Sequence, residues 1–222
     1  CDGYQFQSRD QDDISIEIKL SSDQSQSNRW LIGAYYAEIE RDVAVSYGAD
    51  LGQGFEYKSY VPASGKNPTD LMFDDSFNTD VFSIFGQYSV DLSDVTELSL
   101  EGRYDKEKRS VNNNVPGVAS ALYYGGGAPI NPAMATVGDT IPSRDKSFDQ
   151  FQPKISLTTS ADNTTVYASY GVGFRSGGFN SSGSAATTDF WLNSGNPFGL
   201  GAVGAGLGVS DTFKKEVSKS FE

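Results

Sequence analysis

Apolar and polar residues alternate one by one through much of this chain. The clearest case runs from Thr96 to Ser110, where one set of positions is apolar or glycine and the other set is charged or small and polar. A period of two places successive side chains on opposite faces of a β-strand. The pattern therefore predicts a strand with one apolar and one polar face. The apolar positions are Leu98, Leu100, Gly102 and Tyr104, and the polar positions are Glu97, Ser99, Glu101, Arg103 and Asp105.

The same alternation predicts six complete strands and part of a seventh. They cover about residues 14–21, 29–42, 79–92, 96–110, 148–160 and 164–175, and the partial strand covers 213–222. Residues 1–12 are polar and are predicted to be the end of a loop. In the strand at 29–42 either alternate set suits an apolar face, so its facing stays open. Pro153 cannot donate a ladder hydrogen bond, and we expect a bulge or a strand start there.

The connections between these strands alternate between short turns and long loops. The long loops cover about residues 43–78, 111–147 and 176–213, and the first of them is expected to hold a short hairpin around Phe55–Tyr60. In an antiparallel meander, successive connections lie at opposite ends, so connections that alternate between short and long place all the long loops at one end. The strands exceed the soluble mean of about 5–6 residues and suit the ~9–11 residues that a tilted strand needs to cross a bilayer.

These observations predict an all-β fold. The expected architecture is an antiparallel up-and-down transmembrane β-barrel segment of about six to seven long strands, open or incomplete, with short turns at one end and long loops at the other. Aromatic residues near the strand ends suit the two membrane interfaces. The candidates are Tyr36, Tyr88, Tyr104, Tyr170 and Phe174.

Composition and charge narrow the function by exclusion. The formal net charge is -12, and no apolar run approaches the ~18 residues of a spanning helix, so any membrane role belongs to strands. The chain has no histidine and one cysteine, which removes imidazole-based catalysis and multi-cysteine metal sites. The acidic excess argues against a nucleic-acid partner. We therefore expect no enzyme activity, no catalytic residue, no metal site and no cofactor.

Two other protein classes fit parts of the pattern. A soluble all-β carbohydrate-binding or hydrolytic domain would use the same aromatic residues to fill its core, and the two-sided strand at 29–42 suits it. Charged residues on the polar faces favour the membrane interpretation, because a wet lumen hydrates them and a dry core does not. A passive or adhesive outer-membrane barrel shares the strand layout and stays open as an alternative.

Several segments, in their order along the chain, carry a family resemblance. ISIEIKLSS, RWLIGAYYAEIERD, TDVFSIFGQYSVDLSDVTELSLEGRYDKEKR, FQPKISLTTSADNTTVYASYGVGFRSGGFN and FKKEVSKSFE together resemble the barrel of TonB-dependent outer-membrane receptors. The most specific piece is GFRSGGFN with the YASY strand before it. The resemblance covers nearly all of the predicted strands and little of the long loops.

The resemblance implies a barrel of about 22 strands around a plug domain in the outer membrane of a Gram-negative bacterium. Such receptors take up scarce nutrients, commonly ferric siderophores, with energy delivered through TonB. Residues 1–222 are then expected to be a partial barrel domain without a plug. Its expected partners are outer-membrane lipid, a small-molecule chelate or nutrient, and TonB through other parts of the parent chain. Cys1 is expected to mark the start of a piece, with a lipid-anchored terminus as the alternative.

Ligand contacts in such a receptor come from its loops and upper lumen wall. Arg175, at the loop end of its strand, is predicted to meet an anionic chelate through charge-assisted hydrogen bonds. Phe190 and Trp191 offer aromatic surface to a planar or sugar ligand. Phe179 and Asn180 complete the predicted ligand-binding set. The alternative is that Arg175 pairs with a carboxylate at the rim and that the aromatic side chains pack within the loop.

Overall fold

A computed structural model describes residues 3–124, 126–193 and 206–222. The strands are β1 (Gly3–Ser21), β2 (Asn28–Ala49), β3 (Thr69–Ser93), β4 (Thr96–Asn113), β5 (Arg144–Ala161), β6 (Thr164–Arg175), β7 (Gly178–Phe179), β8 (Thr212–Phe213) and β9 (Glu216–Phe221). A 3-10 turn (Gly117–Ala119), helix α1 (Ser184–Thr188) and a π-helical turn (Asp189–Asn193) lie in the loops. The fold is all-β, as the sequence predicts.

One antiparallel sheet contains seven of the strands in the order β1-β2-β3-β4-β5-β6-β9, and β7 pairs with β8 separately. Each strand from β2 to β6 pairs with the strand before it in the chain, and β9 pairs with β6, so the sheet is a meander. The outermost strands, β1 and β9, are each paired on one side only, and the described sheet is therefore open. None of the described helices is long and apolar enough to cross a membrane.

The register aligns the apolar positions of neighbouring strands into one band. Ile18 lies opposite Ala34, Ala34 opposite Ile84, Ile84 opposite Tyr104, and Tyr104 opposite Phe151. Although these positions are mid-strand, their side chains remain accessible, and 63% of Ile18 is exposed. We call this surface the apolar face. A broad exposed apolar surface of this kind is typical of a sheet that lies against lipid.

The register also fixes the facing of β2, which the sequence left open. Trp30 and Ile32 lie on the apolar face, where Ile32 is opposite Leu20 of β1. Leu31 and Gly33 lie on the opposite, polar face. The neighbouring strands decide this facing, because a one-residue slip would bring the whole apolar set of β1 against the polar set of β2.

Ion pairs between strands occupy the polar face. Arg29 of β2 contacts Asp91 and Glu97 at 2.6 and 2.5 Å, and Lys154 of β5 contacts Glu101 of β4 at 3.1 Å. These side chains are partly exposed, so each pair contributes little to stability. Their arrangement shows a face built for water.

The strands are longer at the loop end than the alternation predicts. The prediction of a loop at residues 1–12 is wrong for residues 3–12, which belong to β1. β2 and β3 extend so far that their connection shrinks to residues 50–68, and no hairpin forms at Phe55–Tyr60. Outside a lipid-facing region neither face needs apolar residues, so the ladder continues without an alternating signal. The long connections nevertheless lie at one end of the sheet.

The bulge expected at Pro153 is wrong. The β4–β5 register passes through the Gly102–Pro153 pair without a shift, and the β5–β6 ladder ends one residue away, at Lys154–Gly171. A missing N–H is tolerated here because β6 leaves β5 at this point. Register shifts occur instead at Val45/Ser46 and at Asp91/Ser93.

Candidate functional site

Two adjoining cavities lie where the loops meet the polar face of the sheet. Their volumes are about 990 and 730 Å³. They share Tyr47, Leu122, Ile130 and Trp191, and we call the pair the loop cavity. Tyr47 belongs to the polar-face set of β2, while Leu122, Ile130 and Trp191 come from two different loops. The site is therefore assembled from segments that are distant in sequence.

The lining of the larger cavity combines two kinds of side chain. The apolar and aromatic ones are mainly Tyr47, Met72, Phe73, Leu122, Ile130 and Trp191. Hydroxyl and amide groups come from Gln5, Asn131, Asn180, Ser181, Ser182, Ser184, Thr187 and Thr188. The second cavity adds Tyr124, Pro129, Met134 and Phe190. Such a combination of apolar walls and convergent polar groups is typical of small-molecule sites.

A buried carboxylate of β3 holds the α1 loop over the sheet. Asp75 is fully buried and accepts hydrogen bonds from the backbone N–H of Ser182 at 2.8 Å and from the Asn113 amide at 3.1 Å. Asn131 donates to the Ser182 carbonyl at 2.8 Å. Ser182 is thus the point where three segments are joined. On the other face of β3, burial raises the pKa of Asp74, and two neighbouring carboxylates add to the rise.

A second buried carboxylate holds the loop between β4 and β5. Asp70 is 1% exposed and accepts hydrogen bonds from the backbone N–H groups of Tyr123 and Tyr124. Burial raises the pKa of the Tyr47 phenol, and the nearby charge and hydrogen bond of Asp70 raise it further. Tyr47 therefore presents a neutral ring and hydroxyl to the loop cavity.

The α1 loop is also tied together at its base. Asp211 accepts a hydrogen bond from Ala185 N–H at 2.9 Å and contacts Arg144 at 3.2 Å. Its carbonyl accepts the Asn180 N–H at 3.0 Å. Since Arg144 is on β5, these contacts join the loop to the sheet. They place α1 and its hydroxyl groups against the cavity.

The predicted ligand-binding residues fall in three places. Asn180 and Trp191 line the larger part of the loop cavity, and Phe190 lines the smaller part with Trp191. The two aromatic rings are T-shaped, with centroids 4.9 Å apart. Phe179 lines a separate cavity of about 330 Å³ on the polar face. Arg175 lies outside the loop cavity and contacts Glu216 at 3.8 Å.

Part of the site was not predicted from the sequence. Tyr47 lies on an extension of β2 where the sequence predicts a loop, and Leu122 and Ile130 lie in a loop without periodicity. Asp70 and Asp75 sit in the same unpredicted part of β3. The sequence around these two carboxylates has no period, so it does not indicate which backbone N–H groups donate to them. The role of all five predicted residues in ligand binding stays a prediction.

Comparison with known proteins places this architecture in a family. A family model described as TonB dependent receptor-like, beta-barrel matches residues 2–222. The chain belongs to the TonB-dependent receptor β-barrel family. Proteins of this family are receptors and transporters of the Gram-negative outer membrane, and the family is not one of enzymes. The apolar face is thus the outer surface of a barrel wall, and the polar face lines the lumen.

A solved structure with the same fold is the ferric yersiniabactin uptake receptor FyuA from Yersinia pestis. The TM-score is 0.55 at 11% identity, over 78% of this chain and 22% of the FyuA chain. At this identity the likeness concerns the fold alone. This TonB-dependent receptor chain therefore spans about a fifth of the receptor that it resembles. A comparison with curated proteins gives no match.

Proposed function

We propose that this chain forms part of the barrel wall and the extracellular loops of a receptor that actively takes up a scarce nutrient, such as a ferric siderophore. The loop cavity carries the proposal. It lies on the lumen side of the sheet, at the end where the long loops meet, and is about 990 Å³ in its larger part. Small-molecule sites usually enclose about 300–1,000 Å³. FyuA, a receptor of the same fold, is described as a ferric yersiniabactin uptake receptor.

The remaining partners follow from the same proposal. Residues 1–222 constitute a partial barrel domain, and the plug and the contacts with TonB belong to other parts of the parent receptor. Outer-membrane lipid covers the apolar face. Within the loop cavity, Trp191 and Phe190 supply aromatic contacts to the ligand, and Asn180 supplies a polar one. Arg175 and Phe179 lie nearer the barrel wall and contact the ligand on its way into the lumen.

Accumulation of radioactive iron in whole cells tests this proposal. The gene of the intact receptor is disrupted, and iron-starved cells are given a neutral ferric trihydroxamate or a negatively charged ferric tris-catecholate. Disruption should abolish accumulation from at least one of the two chelates, and deletion of TonB should have the same effect. The first loss shows that uptake needs this receptor, and the second shows the energy dependence that the proposal requires.

Complementation connects that uptake to the loop cavity. The wild-type gene and a Tyr57→Ala variant should restore accumulation, because Tyr57 is 89% exposed and lies outside the cavity. The matched aromatic variant Trp191→Ala should restore less than about a tenth of it, since a hot-spot aromatic side chain often contributes 2 kcal/mol or more to binding. Unchanged accumulation of both chelates after disruption contradicts iron uptake. Accumulation that persists without TonB indicates a passive barrel.

A further inference from the structure

The loop cavity has no charged side chain on its walls within the described ranges, although 21% of the chain is Asp, Glu, Lys or Arg. Its polar groups are hydroxyls and amides, supplied by α1, by the residues before it, by Asn131 and by Gln5 of β1. Its apolar groups include the rings of Tyr47, Phe73 and Trp191. This composition differs sharply from that of the polar face below, which carries cross-strand ion pairs.

Three carboxylates that hold the backbone around the cavity are engaged within the protein. Asp70 and Asp75 are buried and accept backbone N–H groups. Asp211 is shared between the Ala185 N–H and the Arg144 guanidinium. Each carboxylate is therefore compensated by the protein itself, and none of the three needs a ligand of opposite charge. Arg175, the cation that the sequence suggested for an anionic ligand, contacts Glu216 outside this cavity.

We propose that the loop cavity selects an uncharged ligand that has a planar or apolar body and an edge rich in hydroxyl or amide groups. The inference rests on the proposed function and specifies its substrate class. The aromatic residues of the lining pack against the body of the ligand, and the serine, threonine and asparagine residues donate to and accept from its edge. An anionic ligand would lose hydration there without gaining a counter-charge. Two sources supply the required chemistry, a neutral metal chelate and an aryl glycoside.

Equilibrium binding to the purified intact receptor tests the inference with three probes. They are a neutral ferric trihydroxamate, phenyl β-glucoside and a ferric tris-catecholate that carries three negative charges. We expect the chelate without charge or the glucoside to bind at least about tenfold more tightly than the catecholate. Tighter binding of the trihydroxamate identifies a metal chelate as the source, and tighter binding of phenyl β-glucoside identifies a glycoside.

A charge placed in the wall provides the matched test. Thr188 lies at the end of α1 and lines the larger part of the cavity. Thr188→Lys should weaken binding of the preferred neutral probe and strengthen binding of the catecholate, each by about tenfold. Methionine is about as long as lysine but carries no charge, so Thr188→Met should keep the wild-type order of affinity for the three probes. A change of order in both variants would show that side-chain size, and not charge, sets the selection, and would overturn the inference.

The outcomes separate this inference from the proposed function. If the catecholate binds as tightly as the better neutral probe, or more tightly, the substrate class is wrong and the uptake function stands. If none of the three probes binds the wild-type receptor, the substrate class is overturned, and the accumulation assay with and without TonB decides the uptake function separately.

Discussion

Arginine in place of Ile84 should destabilise the intact barrel by about 2–4 kcal/mol, the cost of a cationic side chain on the lipid face near the bilayer midplane. Ile84 lies in the middle of the apolar face between Ala34 and Tyr104, and 55% of it is exposed. In the proposed receptor, lipid covers this side chain, so a guanidinium there would lose water without gaining a partner. The free energy of unfolding of the intact receptor in lipid vesicles, measured by urea titration, gives the cost directly.

The matched control is arginine at Gln87 of the same strand. Gln87 lies on the polar face opposite Glu101 and is exposed, so the new charge stays hydrated and gains a carboxylate neighbour. The expected change is within about 0.5 kcal/mol, as for other surface substitutions. Equal costs at the two positions would contradict the assignment of the two faces.

Alanine in place of Asp75 should release the α1 loop and lower ligand affinity. The substitution removes the acceptor of the buried Ser182 N–H, at about 1–3 kcal/mol for an unpaired group, and also that of the half-buried Asn113 amide. Since Ser182 and its neighbours supply polar groups to the loop cavity, affinity should fall by tenfold or more, as about 1.4 kcal/mol suffices for that change. Hydrogen exchange at the Ser182 amide should accelerate in parallel.

Asp74→Asn is the control for this prediction. Asp74 is the adjacent acid, but it lies on the other face of β3 and its carboxylate does not hold Ser182. The variant should leave both ligand affinity and exchange at Ser182 unchanged. An Asp75→Ala receptor that binds its ligand normally would show that the buried carboxylate does not position the loop.

The sequence predicts the wall of the barrel well because lipid imposes a strict period of two. Ile14 to Leu20 alternate cleanly and lie on the apolar face as expected. The polar segment before them shows no such pattern, yet it continues β1, because its backbone groups pair with β2 whatever the side chains are. The facing of Trp30 and Leu31 needed the register with the neighbouring strands, which is information that a single strand does not contain.

The loop cavity is predicted less completely, since its residues meet through contacts between distant segments. Trp191 and Asn180 were identified by residue type and by nearness to a strand end, and both line the cavity. Ile130 lies in an aperiodic loop, and the hydrogen bonds of Asp70 and Asp75 help to hold the backbone around the cavity on the sheet. The pairing of β6 with β9 places Glu216 directly opposite Arg175, and contact of Arg175 with a ligand stays a prediction.

Cysteine labelling in whole cells tests the central claim most directly, namely that the long loops cover the outer mouth of a barrel wall in the outer membrane. Single cysteines are placed in the intact receptor with Cys1 replaced by serine, at Tyr57 and Val118 in the loops and at Asp94 and Asn163 in the short turns. Tyr57 and Val118 are 89% and 81% exposed. A maleimide too large to cross the outer membrane should label the loop cysteines in intact cells and the turn cysteines only after permeabilisation. Labelling of the turn cysteines in intact cells at the rate of the loop cysteines would contradict the account.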